Sequence, residues 1–497
     1  MQLWTRLPLV TSLLKALNLS SRFSCGTYGQ PDGSGAVIVN DIHSQLNATR
    51  VCEIACPDSL QALRSLLERA RRTQRTVCIA GTRHAMGAQQ FATDALLVDM
   101  TRLNRVLRFL PDKGLVEAEA GICWPDLVQY LLKVQKHSWP QWGIAQKQTG
   151  ADRLTLGGAL AANVHGRGLR MKPLISDIEA FTLLDAEGNL HACSRLENPE
   201  LFRLVIGGYG LFGVVYSITL RLVPRQKVQR VVRVLPLEEL MPAFEKRIAE
   251  GFVYGDFQYL TDETSDDFLF KGVFSCYHPV DPRTPIPEEQ RQVSRRDWEH
   301  LVYLGHTDKA QAFRLYADYY LSTSGQVYWS DTHQLGAYLE NYHRRVDRLM
   351  RASAPATEMI SEIFVPRQAL YRFMREVRED FRKPQVNVIY GTIRLIERDE
   401  ESFLAWAKEA YACVIFNLHV THTPQGLDHA ASAFRRLIDL AIGYEGSYYL
   451  TYHKYATRDQ VQACYPEFAR FLQLKQRYDP EERFQSDWYR HYRPLFL

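Results

Sequence analysis

Gly81-Thr-Arg-His84-Ala-Met-Gly87-Ala-Gln-Gln90 is the stretch that decides how this chain is read. A histidine stands between a strand-like run, Thr76–Ala80, and a loop of small residues. An imidazole so placed is a metal ligand, a catalytic base, a core residue, or an anchor for something bound. The other glycine-rich segments and the residues around them choose among these.

The whole chain sets the limits. Its 497 residues suffice for two or three domains. With 46% hydrophobic and 23% charged residues it has the composition of an ordinary globular protein. A net charge of +4 gives no concentrated basic stripe, so no nucleic-acid partner is expected. Arg69, Arg71, Arg72 and Arg75 read as a solvated helix end. The nine cysteines are scattered, no CxxC occurs, and Cys52 and Cys56 lack a second pair. No metal site and a reduced intracellular protein are expected. Before Asp32, the first acidic residue, lie Arg6, Lys15 and Arg22 among Leu, Ser and Thr. This is either a targeting or membrane-surface helix or a helix docked on the body. The apolar run Leu7–Leu14 is too short to span a bilayer. The expected location is cytoplasmic, with membrane-surface association through the N-terminus as the variant.

Periodicity predicts a helix over Pro57–Gln74, strands at Thr76–Ala80, Ala95–Asp99 and Leu115–Ala120, and a helix over Pro125–Lys136. Ser176–Leu184 and Leu190–Cys193 flank a turn at Asp185–Gly188, a hairpin. Val214–Leu222 alternates as a strand. After Pro224 come aromatic strands at Asp256–Leu260 and Phe268–Tyr277. Strands follow at Ile360–Val365, Val386–Ile396, Cys413–Thr421 and Tyr448–Tyr452, with helices near 367–381 and 400–411. The class is α+β. The charged, aromatic stretch 286–350 is expected to be a helical insert with its own small core.

Gly208-Tyr-Gly210-Leu-Phe-Gly213 spells GxGxxG, but strand residues follow and the next acid is Glu238. A dinucleotide fingerprint needs a helix there and an acid about 20 residues on, so the NAD reading fails. A second loop runs Thr155-Leu-Gly157-Gly158-Ala-Leu-Ala-Ala-Asn163-Val-His165-Gly166. Its small side chains suit either approach of backbone N–H groups to a pyrophosphate or close helix–sheet packing.

In order, then, stand Gly81–Gly87, Gly121-Ile-Cys-Trp124 with its helix, Gly157–Gly166 and Gly207–Gly213. This series resembles the FAD-binding domain of the vanillyl-alcohol oxidase and p-cresol methylhydroxylase (PCMH-type) superfamily. Within it the likeness is greatest to alditol and aldonolactone oxidases; the decaprenylphosphoryl-ribose oxidases are also similar. The resemblance implies a two-subdomain FAD-binding domain over 46–224 after an extension, 1–45. It implies a substrate (cap) domain of antiparallel sheet and helices over 225–440, and a segment, 441–497, returning to the first. It also implies FAD contacts from Gly81, Thr82, Arg83, His84, Ala85, Gly87, Gly121, Thr155, Gly157, Gly158, Asn163, His165, Gly166, Gly208, Gly210 and Val214.

In the alditol oxidase group a GTRHS-like motif carries a histidine bonded to the flavin 8α carbon; here GTRHA puts His84 there, with Ala85 for the commoner Ser. A neutral imidazole is a competent nucleophile toward that carbon. The alternative is a contact with non-covalent FAD. On the substrate side, Tyr390, Thr392 and Arg394 share one strand face by period two, and Asn417, His419 and Thr421 another. By resemblance Arg394 and His419 face the substrate. The family's His-Trp-Gly-Lys motif has no match in spacing, so Tyr452, His453 and Lys454 stand as equal candidates for its active lysine. Glu362, before Val365-Pro366, is either a family strand residue or a salt-bridge partner.

The expected function is FAD-dependent oxidation of a hydroxyl carbon of a sugar, polyol, lactone or related alcohol by hydride transfer to flavin N5. Oxygen, a quinone or a cytochrome is the acceptor. The rivals are chemistry on a lipid-linked sugar or an alkene with non-covalent FAD, and a flavin-binding scaffold without turnover.

Overall fold

The computed structural model describes residues 28, 33, 35–336, 339 and 341–497. The helix expected at the N-terminus lies outside them. No helix of the described residues is long and apolar enough to cross a membrane. The architecture is α+β. Strands β1 (Val37–Val39) and β2 (Thr49–Val51) pair antiparallel. They lead into a three-stranded parallel sheet of β3 (Glu53–Ala55), β4 (Val77–Ala80) and β5 (Leu96–Asp99), in the order β3-β5-β4.

Helix α1 (Leu60–Arg72) covers this sheet. Its start is set by Ser59, whose Oγ accepts from Ala62 N–H at 3.2 Å. Leu63, Leu67 and Ala70 fall on one face and are buried against Val77, Leu96 and Val98. At its far end Arg69 and Arg75 pair with Glu53 on β3.

An antiparallel sheet follows, ordered β10-β9-β11-β7-β6. Its strands are β6 (Val106–Leu110), β7 (Leu115–Glu119), β9 (Ile178–Leu184), β10 (Leu190–Ser194) and β11 (Val214–Arg221); a two-residue β8 (Trp142–Gly143) stands apart from it. Helix α2 (Trp124–Val134) packs behind it. The segment expected as a loop after Thr155 is helical instead: α3 (Leu156–Ala162). Gly-Gly-Ala is a weak helix former alone, but Leu156, Ala159 and Leu160 are buried in the main core, and packing overrides propensity. Asn163 ends the turn in the left-handed region at φ 46°. Helix α4 (Pro199–Val205) precedes Gly207–Gly213, and a strand, β11, follows it.

The second region is built on one eight-stranded antiparallel sheet. Strand β12 (Val223–Pro224) leads from the first region to it. Its members are β13 (Lys227–Pro236), β14 (Tyr254–Tyr259), β15 (Lys271–Val280), β16 (Val327–Trp329), β17 (Ala356–Pro366), β18 (Val388–Ile396), β19 (Tyr411–Thr421) and β20 (Ser447–Tyr448). They run in the order β16-β13-β15-β14-β18-β19-β17-β20. Helices α5 (Leu240–Ala249), α6 (Arg295–Thr307), α7 (Lys309–Ser322), α8 (Tyr342–Met350), α9 (Leu370–Arg382) and α10 (Pro424–Gly443) accompany it.

Three expectations change here. Residues 400–411 form no helix. Asp399 instead caps a turn there, accepting from the N–H groups of Glu401 and Ser402. The last strand shortens to β20. Among the described residues the insert shows no core of its own: Phe313, Tyr316 and Tyr320 of α7 pack on Val232 and Val273 of the sheet, and β16 joins its edge.

The C-terminal residues return to the first sheet. Val77 N–H donates to Arg483 O at 2.7 Å, and Gln485 N–H to Val77 O at 2.8 Å. Cys56 is disulfide-bonded, which corrects the expectation of a fully reduced protein.

Candidate active site

The two regions enclose a cavity of 610 Å³, within the range of cofactor sites. One wall is the opening motif. Gly81, Thr82, Arg83, His84 and Ala85 all line it. Gly81 is required by close approach: a Cβ there would stand 2.2 Å from Thr155 Oγ1. Arg83 sits in the left-handed region at φ 63°. The N–H groups of Thr82, Arg83 and Ala85 have no partner among the described residues, so this loop presents free donors, an arrangement suited to an anion. Gly87 lies just behind, its Cβ position 2.2 Å from Tyr452 O.

The second glycine segment contributes differently from the expectation. Thr155, Gly157 and Gly158 line the cavity. Their donors, however, are occupied. Leu156 N–H bonds Ile122 O, Gly157 N–H bonds Ala120 O, and Gly158 N–H bonds Thr155 Oγ1. What α3 offers is a bare surface without side chains. Gly210 lines the cavity as well, at φ 74°. Gly121, Gly166, Gly208 and Val214 lie outside the lining. The first three pack against backbone: a Cβ on Gly121 would lie 1.9 Å from Met100 O. Val214 pairs with Leu184 at the start of β11. Asn163 is a pin, its Oδ1 accepting from Ile175 N–H and its Nδ2 donating to Asp399. A glycine-backed wall, a loop of free N–H donors and apolar neighbours such as Ile79, Met86 and Val205 fit an FAD lying along this wall.

His84 Nδ1 stands 2.7 Å from Nε2 of His43, so one ring donates to the other and the orientation of His84 is fixed. His43 is brought in by tertiary structure, with no signal in the chain around it. Burial first, then the charges of His43, Lys147 and Arg83, holds the His84 pKa well below its ordinary value. The ring is neutral at ordinary pH. Lys147, also missed in the sequence, is fully buried and pairs with Asp152 at 2.6 Å.

Across the cavity stand groups from β17, β18 and the turn after β20. Glu362 Oε1 meets His165 Nε2 at 2.5 Å, and its Oε2 accepts from Tyr452 at 3.1 Å. All three side chains line the cavity. Burial, then the Glu362 charge, raises the Tyr452 pKa well above its ordinary value, so the phenol stays protonated. Tyr390 and Arg394 line the cavity from β18, and burial pushes the Tyr390 pKa to about 12. Arg394 is 8% exposed. It has no carboxylate partner among the described residues, and its Nε is buried without a hydrogen bond. An uncompensated buried cation is costly, so its place facing the cavity asks for an anionic or polar ligand.

Three candidates lie elsewhere. His419 points from β19 to Glu358 of β17, 3.9 Å away. Burial pushes the Glu358 carboxyl up, but His306, His419 and Tyr342 beside it outweigh this and leave it at about 2. His453 stacks on Tyr455, and Lys454 Nζ reaches Asp487 O at 3.5 Å. None of His419, His453 and Lys454 lines the cavity.

A model of the FAD binding domain family matches residues 53–194, and one of the D-arabinono-1,4-lactone oxidases matches 334–492. L-gulonolactone oxidase of Bos taurus is 30% identical over 196 residues, 39% of this chain and 42% of the bovine one. The match thus spans less than half of that relative. L-gulono-1,4-lactone dehydrogenase of Mycobacterium tuberculosis is 24% identical over 461 residues, 91% of this chain and 99% of its own. Cytokinin dehydrogenase 9 of Oryza sativa subsp. japonica is 25% identical, over 82% of this chain and 78% of its own. With one model matching on each side of the cavity, the chain is similar to the PCMH-type FAD-binding oxidoreductases and, within them, to the aldonolactone oxidases.

Proposed function

We propose that this chain oxidises the hydroxyl carbon of an aldonolactone or a related sugar-derived alcohol, with FAD tethered through His84. The observation that carries the reading is the convergence on one cavity of the His84 loop and a buried cation, Arg394, with no carboxylate partner among the described residues. When bound, FAD supplies the hydride acceptor.

Arg394 orients the substrate and stabilises negative charge as its hydroxyl loses a proton. Tyr452 takes that proton as it passes its own to Glu362, whose other oxygen is held by His165. The substrate leaves as a carbonyl compound, having given one proton to the protein and a hydride to the cofactor. The neutral, oriented ring of His84 is the residue that would hold the flavin covalently. His453 and Lys454 have no part in this reading. Residues 46–224 with 441–497 hold the cofactor, and 225–440 face the substrate. The electron acceptor is oxygen, a quinone or a cytochrome.

The test has two arms. Acid precipitation of purified protein should leave flavin fluorescence on the wild-type polypeptide and not on His84→Ala. Flavin released by acid from the wild type would remove the tether. Under anaerobic conditions L-gulono-1,4-lactone or D-arabinono-1,4-lactone should bleach the bound flavin. Failure of every lactone and polyol in a panel would sink the substrate class.

A further inference from the structure

At the rim of the cavity three side chains from remote parts of the chain turn ligand atoms toward one point. His306 lies in the last turn of α6, Glu358 on β17 and His419 on β19. His306 Nε2 is 3.1 Å from Glu358 Oε1, and His419 Nδ1 is 3.9 Å from the same oxygen. All three atoms fall within 4.8 Å of one another. Glu358 and His419 are direct cross-strand partners, so the β17–β19 ladder fixes their spacing. The two imidazoles stand edge to face, ring centres 5.1 Å apart.

A buried salt bridge is the ordinary explanation, and the geometry argues against it. His306 Nε2, Glu358 Oε1 and His419 Nδ1 are each buried with no aligned hydrogen bond among the described residues. Buried polar atoms are nearly always paired. Here three orphans face each other, one pair at 3.1 Å without an aligned bond and the other at 3.9 Å, too far for one. That is how atoms stand when a fourth body between them is their common partner.

We propose that His306 Nε2, Glu358 Oε1 and His419 Nδ1 bind a divalent transition metal of the zinc class, with the fourth position of its tetrahedron open to the cavity. Bonds of about 2.0–2.1 Å in a tetrahedron put ligand atoms roughly 3.3 Å apart. The observed 3.1 and 3.9 Å bracket that value, so shifts of tenths of an ångström complete the site. Two imidazoles and one carboxylate with an open position is a donor set that such metals favour. The other carboxylate oxygen, Oε2, accepts from Tyr342, the kind of outer bond that orients a ligating carboxylate. Glu358 lines the cavity, so the open position takes a water or a substrate oxygen there. The site shares no residue with the proposed flavin tether or with Arg394, and stands or falls apart from them.

The experiment uses the full-length holoprotein, stripped with a chelator and dialysed against Zn²⁺ or Co²⁺. Metal per chain is read by atomic emission, and Co²⁺ also by its tetrahedral absorption beyond the flavin bands. The wild type should retain one ion per chain and show the Co²⁺ bands. His306→Ala and Glu358→Gln should lose both. Tyr342→Phe should weaken binding about 10- to 100-fold. Flavin content and thermal midpoint separate loss of the site from loss of the fold. A wild type that retains no ion, or retention equal in folded His306→Ala and Glu358→Gln, overturns the proposal. Should neither variant fold, the wild-type stoichiometry and Co²⁺ spectrum decide: absence of tetrahedral bands overturns it.

Discussion

Arg394 concentrates the argument at the scale of single residues. The side chain is 8% exposed, and it lines the cavity without a carboxylate to answer its charge among the described residues. For stability alone this is a poor arrangement, because a buried charge lacking a partner costs free energy. Function and stability should therefore move in opposite directions. Arg394→Met is expected to raise the urea midpoint of the protein, by on the order of 1 kcal/mol, since part of the charge's hydration survives in the cavity. The same change should lower kcat/KM for an oxidised lactone by about 10²–10³-fold. Arg394→Lys should recover part of the rate, keeping the charge but losing the planar fork. A variant less stable and equally active would show that Arg394 serves packing instead.

Among the elements, α3 shows how a local sequence is decided by what it packs on. Its two glycines have different duties. A Cβ on Gly157 would meet Ala120 Cβ at 2.9 Å and Ala120 O at 3.0 Å, atoms of the strand junction that cannot retreat. A Cβ on Gly158, which lines the cavity, would meet only side-chain atoms, Leu154 Cδ1 and Thr155 Oγ1, both at 3.1 Å. Gly157→Ala is expected to cost roughly 1–3 kcal/mol by overpacking. Gly158→Ala should fold with a near-normal thermal midpoint yet carry less flavin, as measured by absorbance per chain. The reverse ranking would mean that α3 does not wall the cofactor.

The same contrast explains what was legible in the sequence. The strands of the large sheet and α1 announce themselves through period-two and 3.6-residue patterns, because one face of each is buried. The helix at Leu156 did not, because glycine and alanine carry no such pattern. The turn at 400–411 looked helical because a single buried aspartate, Asp399, overrides the periodicity around it. The motif around His84 was visible as a string. His43 and Glu358 were not, since each acquires its meaning from a partner brought up by tertiary structure, 41 residues away for His43.

For the molecule as a whole, the enclosed cavity and the buried rings around it set how stability responds to acid. Burial holds His453 at about 4 and His333 well below its ordinary value, and both are at most 8% exposed. Such a ring stays neutral in the folded protein while the unfolded chain takes up a proton below about pH 6.5. Stability from these groups is complete above that pH and is lost as pH falls toward 4. His43, held at about 4 chiefly by burial, acts in the same sense but partly faces the cavity, so its share is smaller. Asp177 opposes them. Burial raises its carboxyl to about 6, so between pH 6 and 4 the folded chain holds a proton that the unfolded one lacks. One carboxyl against two buried histidines and part of a third leaves the histidines ahead. Unfolding free energy, from urea titrations between pH 7 and 4, should fall by on the order of 1–2 kcal/mol per pH unit below about 6.5, each protonating group supplying up to about 1.4. His453→Gln should flatten that slope. A slope of opposite sign would place the control with Asp177, and Asp177→Asn would then abolish it.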